Sequence, residues 1–147
     1  MAESSEVLAV SLFSELIATE QLARLRFGKL LPKGMELSHF MVLNHLSHSG
    51  GERTPAQLAS AFHLTRGAMT NTISKLEWAG WVHVRPDWDD ARSKLVSISP
   101  SGVAARDAAI AAIAPMISDL VEAVGPERAK TTLPILRELR IKLASSE

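Results

Sequence analysis

The chain has no cysteine and no tyrosine, and only 5% of its residues are aromatic. Without a thiol there can be no disulfide, no thiolate metal site and no cysteine-based redox sensor. Because 46% of the residues are nevertheless hydrophobic, we expect a core of Leu, Ile, Val, Ala and Met. A chain of 147 residues with this composition predicts a single domain, residues 1–147, or two small lobes that are closely joined.

Long apolar runs and an excess of basic residues are also lacking. No run approaches the roughly 20 apolar residues of a membrane span, and the N-terminal segment is acidic rather than basic-then-apolar. We therefore expect a cytoplasmic protein with no membrane partner. Sixteen basic residues balance sixteen acidic ones, so any nucleic acid would be held by a modest number of phosphate contacts, with an affinity that falls as salt rises.

A short helix with a strong start signal is predicted after residue 53. Thr54 can cap the backbone, Pro55 occupies the first helical position, and Gln57 stands where a capping box needs it. Leu58, Ala61 and Phe62 supply an apolar face at helical spacing. The next two residues, His63 and Leu64, predict a turn.

Thr65 is a second capping residue and opens a helix that runs to about Ala79, before Gly80 ends it. Met69, Ile73 and Leu76 share one face of this helix. The opposite face carries short polar side chains and two cations: Arg66, Gly67, Thr70, Asn71, Ser74 and Lys75. A polar helix face taken alone is more often merely solvated, but the elements on either side of this one favour a binding surface.

After Gly80 the pattern becomes alternating, and residues 81–85 and 94–98 predict two strands. Residues 86–93 between them predict a loop that is too long for a tight hairpin. We expect Asp90 to pair with Arg92 and shape this loop, with the guanidinium pointing outward toward a minor groove. The alternative for Arg92 is a surface ion pair of little energetic value.

Two capped helices followed by a hairpin form a shape that can place one helix in a major groove and a loop beside it. We predict that Thr70 and Asn71 read base edges and that Arg92 reaches the minor groove. The predicted DNA-binding residues are Thr65, Arg66, Gly67, Thr70, Asn71, Ser74, Lys75, Arg85, Asp90, Arg92, Ser93 and Lys94.

Helices are also predicted on both sides of this segment. One begins at Ser4 or Ser5 and ends near residues 30–31, and another spans 38–48 and buries Phe40, Val42, Leu43 and Leu46. Beyond the strands, Ser99 caps a helix of residues 100–124 that Pro115 should kink, and a last helix follows Gly125 and Pro126, bent by Pro134. Their apolar stripes either form a homodimer interface or close the core of a monomer.

The chain resembles the MarR family of winged helix-turn-helix transcriptional regulators. The resemblance rests on an ordered series of segments that are specific by their spacing: residues 37–43, Thr54 with Leu58 and Ala59, and residues 65–70, 76–82, 87–93 and 98–102. The Asp-x-Arg of Asp90 and Arg92, together with Gly102 after the second strand, is the most specific part.

This resemblance implies a mainly α fold with a small β-hairpin wing, and long N- and C-terminal dimerisation helices. Residues 37–99 would form the DNA-binding lobe, and residues 4–31 and 100–145 the dimerisation lobe. It further implies a homodimer that acts as a repressor on a pseudo-palindromic operator of double-stranded DNA. A phenolic or other aromatic carboxylate would release the DNA from where the two lobes meet, with Arg24, Arg26 and His45 as possible pocket residues.

Three other classes of function compete with this one. An enzyme is not expected, since there is no cysteine nucleophile, phosphate-cradling glycine loop or serine elbow, and Asp87, Asp89 and Asp90 suit a turn. A metal-responsive regulator could use His39, His45 and His48, but no carboxylate or cysteine partner stands nearby, so we expect no metal or other cofactor. The neutral charge keeps open a winged-helix module that binds protein.

Overall fold

The computed structural model describes residues 4–146, which form helices and one β-hairpin. The elements in chain order are α1 (Ser5–Gly28), α2 (Leu37–Ser49), α3 (Pro55–Ala61), α4 (Arg66–Trp78), β1 (Val82–Asp87), β2 (Asp90–Ile98), α5 (Pro100–Val124) and α6 (Pro126–Ala144). The chain is mainly α with a two-stranded antiparallel wing, as the sequence predicts.

The chain divides into two compact units at residues 112 and 113, within α5. The core of the first unit is built by α2, α3, α4 and β2. Its largest fully buried side chains are Leu43, Leu46, Leu58, Met69, Leu76 and Val96. Every one of these elements is therefore held by side chains packed on the same core. The lobes predicted at 37–99, 4–31 and 100–145 remain a prediction.

The predicted helix starts are confirmed by their hydrogen bonds. Ser4 Oγ accepts from the Val7 N–H at 3.2 Å at the start of α1. Thr54 Oγ1 accepts from the Gln57 N–H at 3.1 Å, and Gln57 Oε1 accepts from the Thr54 N–H at 2.9 Å. This reciprocal pair is the capping box, and it satisfies two backbone donors that have no partner within the helix.

Two helix boundaries differ from the prediction. α1 ends at Gly28 rather than near residues 30–31, and the Leu30 N–H bonds to the Phe27 carbonyl three residues back, which tightens the last turn. α2 begins at Leu37, one residue earlier than expected. Phe40, expected to be buried, is only half-buried, whereas the neighbouring His39 is 5% exposed.

The predicted apolar face of α3 is also partly wrong. Leu58 and Ala59 are buried, but Ala61 is exposed and Phe62 is half-buried. The helix lasts only seven residues, and the chain then turns through His63 at φ 54°. Because Ala61 is the last residue of α3, the helical spacing that predicts a continuous apolar face no longer applies at Phe62.

The hairpin is tighter than predicted, so the long loop over residues 86–93 is wrong. β1 and β2 continue to Asp87 and from Asp90, and only Trp88 and Asp89 lie between them. Asp87 Oδ1 accepts from the Asp89 N–H at 3.0 Å, which closes the turn. The register shifts between Pro86, which pairs with Lys94, and Asp87, which pairs with Asp90. This bulge absorbs the extra residues that the sequence pattern assigns to a loop.

The hairpin joins the start of α5 through Ser99 and Gly102. Ser99 Oγ accepts from the Gly102 N–H at 2.9 Å, as expected of a helix cap, and donates to the Gly80 carbonyl at 2.6 Å. A Cβ atom on Gly102 would lie 2.0 Å from the Trp81 carbonyl oxygen. Only glycine allows the helix to approach the backbone before β1 this closely.

The helical spans of α5 and α6 continue through Pro115 and Pro134, so neither proline ends its helix and the expected bends remain predictions. Neither α1 nor α6 contains a buried residue among those described. No helix within residues 4–146 is by itself long and apolar enough to span a membrane. α5 and α6 meet the length and composition criteria only as a pair, bent by 104°.

Candidate DNA-binding surface

The polar face of α4 points to solvent, as the sequence predicts. Thr65 Oγ1 accepts from the Ala68 N–H at 3.1 Å and fixes the start of the helix. Met69, Ile73 and Leu76 are at most 6% exposed and attach the opposite face to the core. All the predicted α4 residues are exposed: Thr65, Arg66, Gly67, Thr70, Asn71, Ser74 and Lys75.

A groove of about 290 Å³ separates α4 from the hairpin, and we call it the helix–wing groove. Six of the predicted site residues line it: Arg66, Thr70 and Ser74 from α4, and Arg92, Ser93 and Lys94 from β2. Residues that are 18 to 28 positions apart in sequence are therefore brought to one surface. Glu77 is an acidic residue in the same lining, which sequence reasoning did not place there.

Asn71 and Lys75 lie on α4 outside this lining. Lys75 instead borders a second hollow of about 520 Å³ with Lys33, Trp78 and Trp81. Trp78 is 94% exposed, so the end of α4 offers an indole to solvent. Burial lowers the pKa of His39, which also lines this hollow, while the nearby Glu36 partly opposes that shift.

The expected pairing of Asp90 with Arg92 is confirmed. Asp90 Oδ1 accepts from the Arg92 N–H at 3.1 Å and lies 3.4 Å from Arg92 Nε. The Arg92 side chain is 93% exposed, so this contact is weak and leaves most of the guanidinium free of protein. Arg92 therefore projects from the wing as a solvated cation.

Arg85 is held much more firmly than Arg92. Its Nε and Nη2 donate to the two carboxylate oxygens of Glu52 at 2.7 and 2.8 Å, and Nη1 donates to the Pro86 carbonyl at 3.0 Å. The guanidinium carbon lies 4.3 Å from the ring centre of Trp88. The hydrogen bonds to Glu52 raise the pKa of Arg85. Its role as a DNA contact remains a prediction.

Glu52 was missed from the sequence because it lies 33 residues before Arg85 and belongs to no local motif. Helical or strand periodicity relates residues within one element, and Glu52 precedes α3 in a connecting segment. The adjacent Arg53 exchanges backbone hydrogen bonds of 2.9 and 2.8 Å with Val96 of β2. The segment before α3 thus contacts the wing through both backbone and side chains.

The three histidines considered for metal binding have separate partners. His39 Nδ1 accepts from the Glu36 N–H at 3.0 Å, the His45 ring packs edge-on against Phe62, and His48 Nε2 lies 3.3 Å from Arg106 Nη2. Within residues 4–146, no group of three His, Asp or Glu side chains is placed to hold a metal ion.

The possible effector-pocket residues on α1 are exposed. Arg24 pairs with Glu20 one helical turn before it, and Arg26 is solvent-exposed near the end of the helix. His45, the third candidate, is half-buried in α2. The identity of an effector pocket therefore stays a prediction.

Comparison with known proteins places the chain in a family. Residues 33–93 match the family model described as MarR family. The multiple antibiotic resistance protein MarR of Salmonella typhimurium is 30% identical over 101 residues, which cover 63% of this chain and 69% of that protein. The chain belongs to the MarR family of transcriptional regulators.

Solved structures show the same fold at low sequence identity. A mutant MarR from E. coli, complexed with operator DNA, has a TM-score of 0.79 and 19% identity, covering 93% of this chain and 99% of that one. BpsR of Bordetella bronchiseptica, whose DNA binding is regulated by 6-hydroxynicotinic acid, has a TM-score of 0.77 and 18% identity, covering 88% and 98%. The predicted family and the winged-helix fold class are confirmed.

Proposed function

We propose that this regulator binds a specific double-stranded DNA operator through the helix–wing groove and its rim, and acts as a cytoplasmic repressor rather than as an enzyme. The observation that carries the proposal is the convergence of Arg66, Thr70 and Ser74 from α4 with Arg92 and Lys94 from the wing on one surface. A similar fold holds operator DNA in the E. coli relative.

The chemistry of this surface suits a duplex. The short side chains Thr70 and Asn71 on an exposed helix face allow that helix to enter a major groove and contact base edges. Arg92 extends from the wing toward the adjacent minor groove. Arg66 and Lys94 supply positive charge for phosphates, whereas Glu77 opposes it, so binding should be moderate in strength and sensitive to salt.

We further propose that two copies act together on a pseudo-palindromic operator. Apolar side chains on the terminal helices are exposed in the single chain, among them Leu8 at 56% and Leu143 at 62%. Within the second unit, α5 and α6 form an apolar groove of about 380 Å³ lined by Leu120, Val124 and Leu133. A second copy would bury such surfaces, and its two-fold symmetry would place the two recognition helices on related half-sites.

A small aromatic or phenolic ligand is proposed to control DNA binding, supported by the regulation of BpsR by 6-hydroxynicotinic acid. Such a ligand must bind the DNA-free form more tightly than the DNA-bound form. Because linkage is reciprocal, operator DNA would then weaken ligand binding by the same factor. Titrating a panel of aromatic acids with and without operator DNA measures this factor, and equal ligand affinities in both titrations would contradict the proposal.

The test of DNA binding begins with duplexes selected by the protein from a random pool. Substitution of Arg92 by Ala removes one cation from each copy of the proposed dimer. It should weaken binding of the selected duplex about tenfold and lower the slope of log affinity against log salt by about two. Arg92→Lys is the matched control, because it keeps the positive charge and should leave the salt slope unchanged. Selection of no common sequence, or identical titrations for wild type and Arg92→Ala, would contradict the mechanism.

A winged-helix module that binds protein is the second candidate, favoured by a formal net charge of zero and by two tryptophans that are 94% and 81% exposed. Absence of any duplex binding even in low salt would support this function over the first.

A further inference from the structure

The wing is attached to the segment before α3 at two neighbouring points. The first is the backbone bridge between Arg53 and Val96, at the base of the hairpin. The second is the pair of hydrogen bonds between Glu52 and Arg85, one position closer to the tip, since Arg85 pairs with Leu95. Val96 already holds the base of the hairpin in the core, and the Glu52–Arg85 contact adds a side-chain attachment nearer the tip.

From this second attachment the contacts continue to the tip of the wing. The Arg85 guanidinium lies over the Trp88 ring at 4.3 Å, and Trp88 belongs to the two-residue turn. Trp88 is 81% exposed, so little of its surface is covered by the rest of the protein. Glu52, Arg85 and Trp88 thus form a continuous chain of contacts, which we call the wing clamp.

The donors of Arg85 are largely used within the protein. Nε and Nη2 serve Glu52, and Nη1 serves the Pro86 carbonyl. The side chains of Arg85 and Glu52 are 36% and 35% exposed, against 93% for Arg92. A DNA phosphate would therefore have to compete with a two-point carboxylate contact at Arg85, but not at Arg92.

We infer that Glu52 and Arg85 are positioning residues, which set the direction of the wing for DNA through the wing clamp rather than by touching phosphate. This inference rests on the proposed function. It reassigns Arg85 from the predicted DNA contacts and adds Glu52, an acidic residue that charge alone would rank as unfavourable beside DNA.

The variant Glu52→Gln separates the two roles by the sign of its effect. If Glu52 were only an acid near phosphates, its neutralisation would strengthen operator binding. A clamp residue instead gives weaker binding, by about threefold to fivefold, since a partly exposed ion pair is lost. Stronger or unchanged binding by Glu52→Gln would overturn the inference.

Arg85→Lys keeps the positive charge but loses the two-point contact with the carboxylate. We expect it to weaken binding as much as Glu52→Gln does, with no change in the salt slope, while Arg92→Ala lowers that slope by about two. The double variant that combines Glu52→Gln with Arg85→Lys should bind no more weakly than either single variant, because each substitution alone breaks the same contact. Arg85→Gln removes the positive charge altogether. If this variant lowers the salt slope, Arg85 contacts a phosphate and the inference is overturned.

A measurement without DNA tests the clamp itself. The ¹⁵N-labelled protein has three indole N–H resonances, from Trp78, Trp81 and Trp88. Glu52→Gln should shift and sharpen the Trp88 resonance as the indole becomes mobile, and leave the Trp78 and Trp81 resonances in place. Unchanged thermal unfolding would show that the fold is intact, and an unmoved Trp88 resonance would overturn the clamp.

The two readouts separate the failure of this inference from that of the proposed function. Wild-type protein that binds no duplex at any salt concentration contradicts the function, and the Trp88 resonance still decides whether the clamp orders the wing. If both clamp variants bind duplex as tightly as the wild type does, the inference is contradicted but the proposed function is not.

Discussion

Leucine side chains are buried in the helix-turn-helix region but exposed on the terminal helices. Leu43, Leu58 and Leu76 of α2, α3 and α4 are completely buried. Leu8 of α1 and Leu143 of α6 are 56% and 62% exposed, and neither helix has a buried residue among those described. An apolar stripe at helical spacing therefore reports that a helix needs a partner, but not whether the partner lies in the same chain.

This difference separates two sources of stability. Side chains around Leu43 are buried by neighbouring helices of one chain, so their contribution should not depend on protein concentration. Burial of Leu8 or Leu143 by a second copy would be a binding equilibrium, and its contribution should grow with concentration. Substitutions in the two regions should therefore differ in how their effects depend on protein concentration.

Leu43→Ala should lower the free energy of unfolding by about 2–5 kcal/mol, because it leaves a cavity at a site with no exposure. The loss should be the same when urea unfolding is measured at low and at high protein concentration. Leu143→Ala is the matched variant in a terminal helix. Its effect should appear mainly as a weaker dependence of the unfolding midpoint on concentration.

Sedimentation gives an independent check of the same pair. Wild type and Leu43→Ala should sediment as dimers at a concentration where Leu143→Ala begins to dissociate. A wild-type protein that stays monomeric at every concentration would show that the exposed stripes serve another purpose.

Gly102→Ala should cost about 1–3 kcal/mol, because the new Cβ would lie 2.0 Å from the Trp81 carbonyl oxygen and force backbone to move. Gly67 in α4 is the matched control, since a Cβ there meets nothing within 4 Å. Gly67→Ala should raise stability by about 0.4–1 kcal/mol, because alanine fits there without strain and loses less chain entropy than glycine on folding. Equal effects of the two substitutions in urea unfolding would show that the approach at Gly102 is not tight.

The sequence predicted best what depends on neighbouring residues. Thr54, Gln57 and Thr65 make the capping bonds expected of them, and Gly80 ends α4 with φ 79°. Each of these contacts joins residues within one turn of helix, so the pattern contains both partners. Because Met69 and Ile73 face the core, helical spacing places Thr70 on the exposed side.

The sequence predicted poorly what depends on distant residues. Nothing near Arg85 indicates that Glu52 will hold it, and residues 86–93 read as a loop because three aspartates and a proline favour turns. The bulge at Pro86 makes a shorter turn possible, but a bulge is decided by strand pairing rather than by composition. Ala61 likewise became exposed because α3 stops at that residue.

Thr65→Ala should lower stability by about 1 kcal/mol, because the Ala68 N–H loses its acceptor at the start of α4. Thr65→Ser keeps the hydroxyl oxygen and should restore most of the loss, as measured by urea unfolding. The cap lies beside the core region but is itself exposed, so its effect should be smaller than that of Leu43→Ala. Equal stability of the Ala and Ser variants would show that the Thr65 hydroxyl does not stabilise the start of α4.

The smallest effect concerns pH and a polar member of the core region. Burial lowers the pKa of His39 from 6.5, and its Nδ1 accepts from the Glu36 N–H, which requires an unprotonated ring nitrogen. As pH falls through 6.5, the unfolded chain binds a proton at His39 before the folded chain does. The free energy of unfolding should therefore decrease below that pH and reach its full value above it.

His39→Asn provides the matched control, because its Oδ1 can accept from the same N–H but does not titrate. Urea unfolding of both proteins between pH 8 and pH 5 should show a shallower decline below pH 6.5 for the variant. The other four histidines are common to both proteins, so their contributions cancel in the difference. If the free energies of unfolding of the two proteins decline in parallel with pH, the His39 imidazole gains no proton on unfolding.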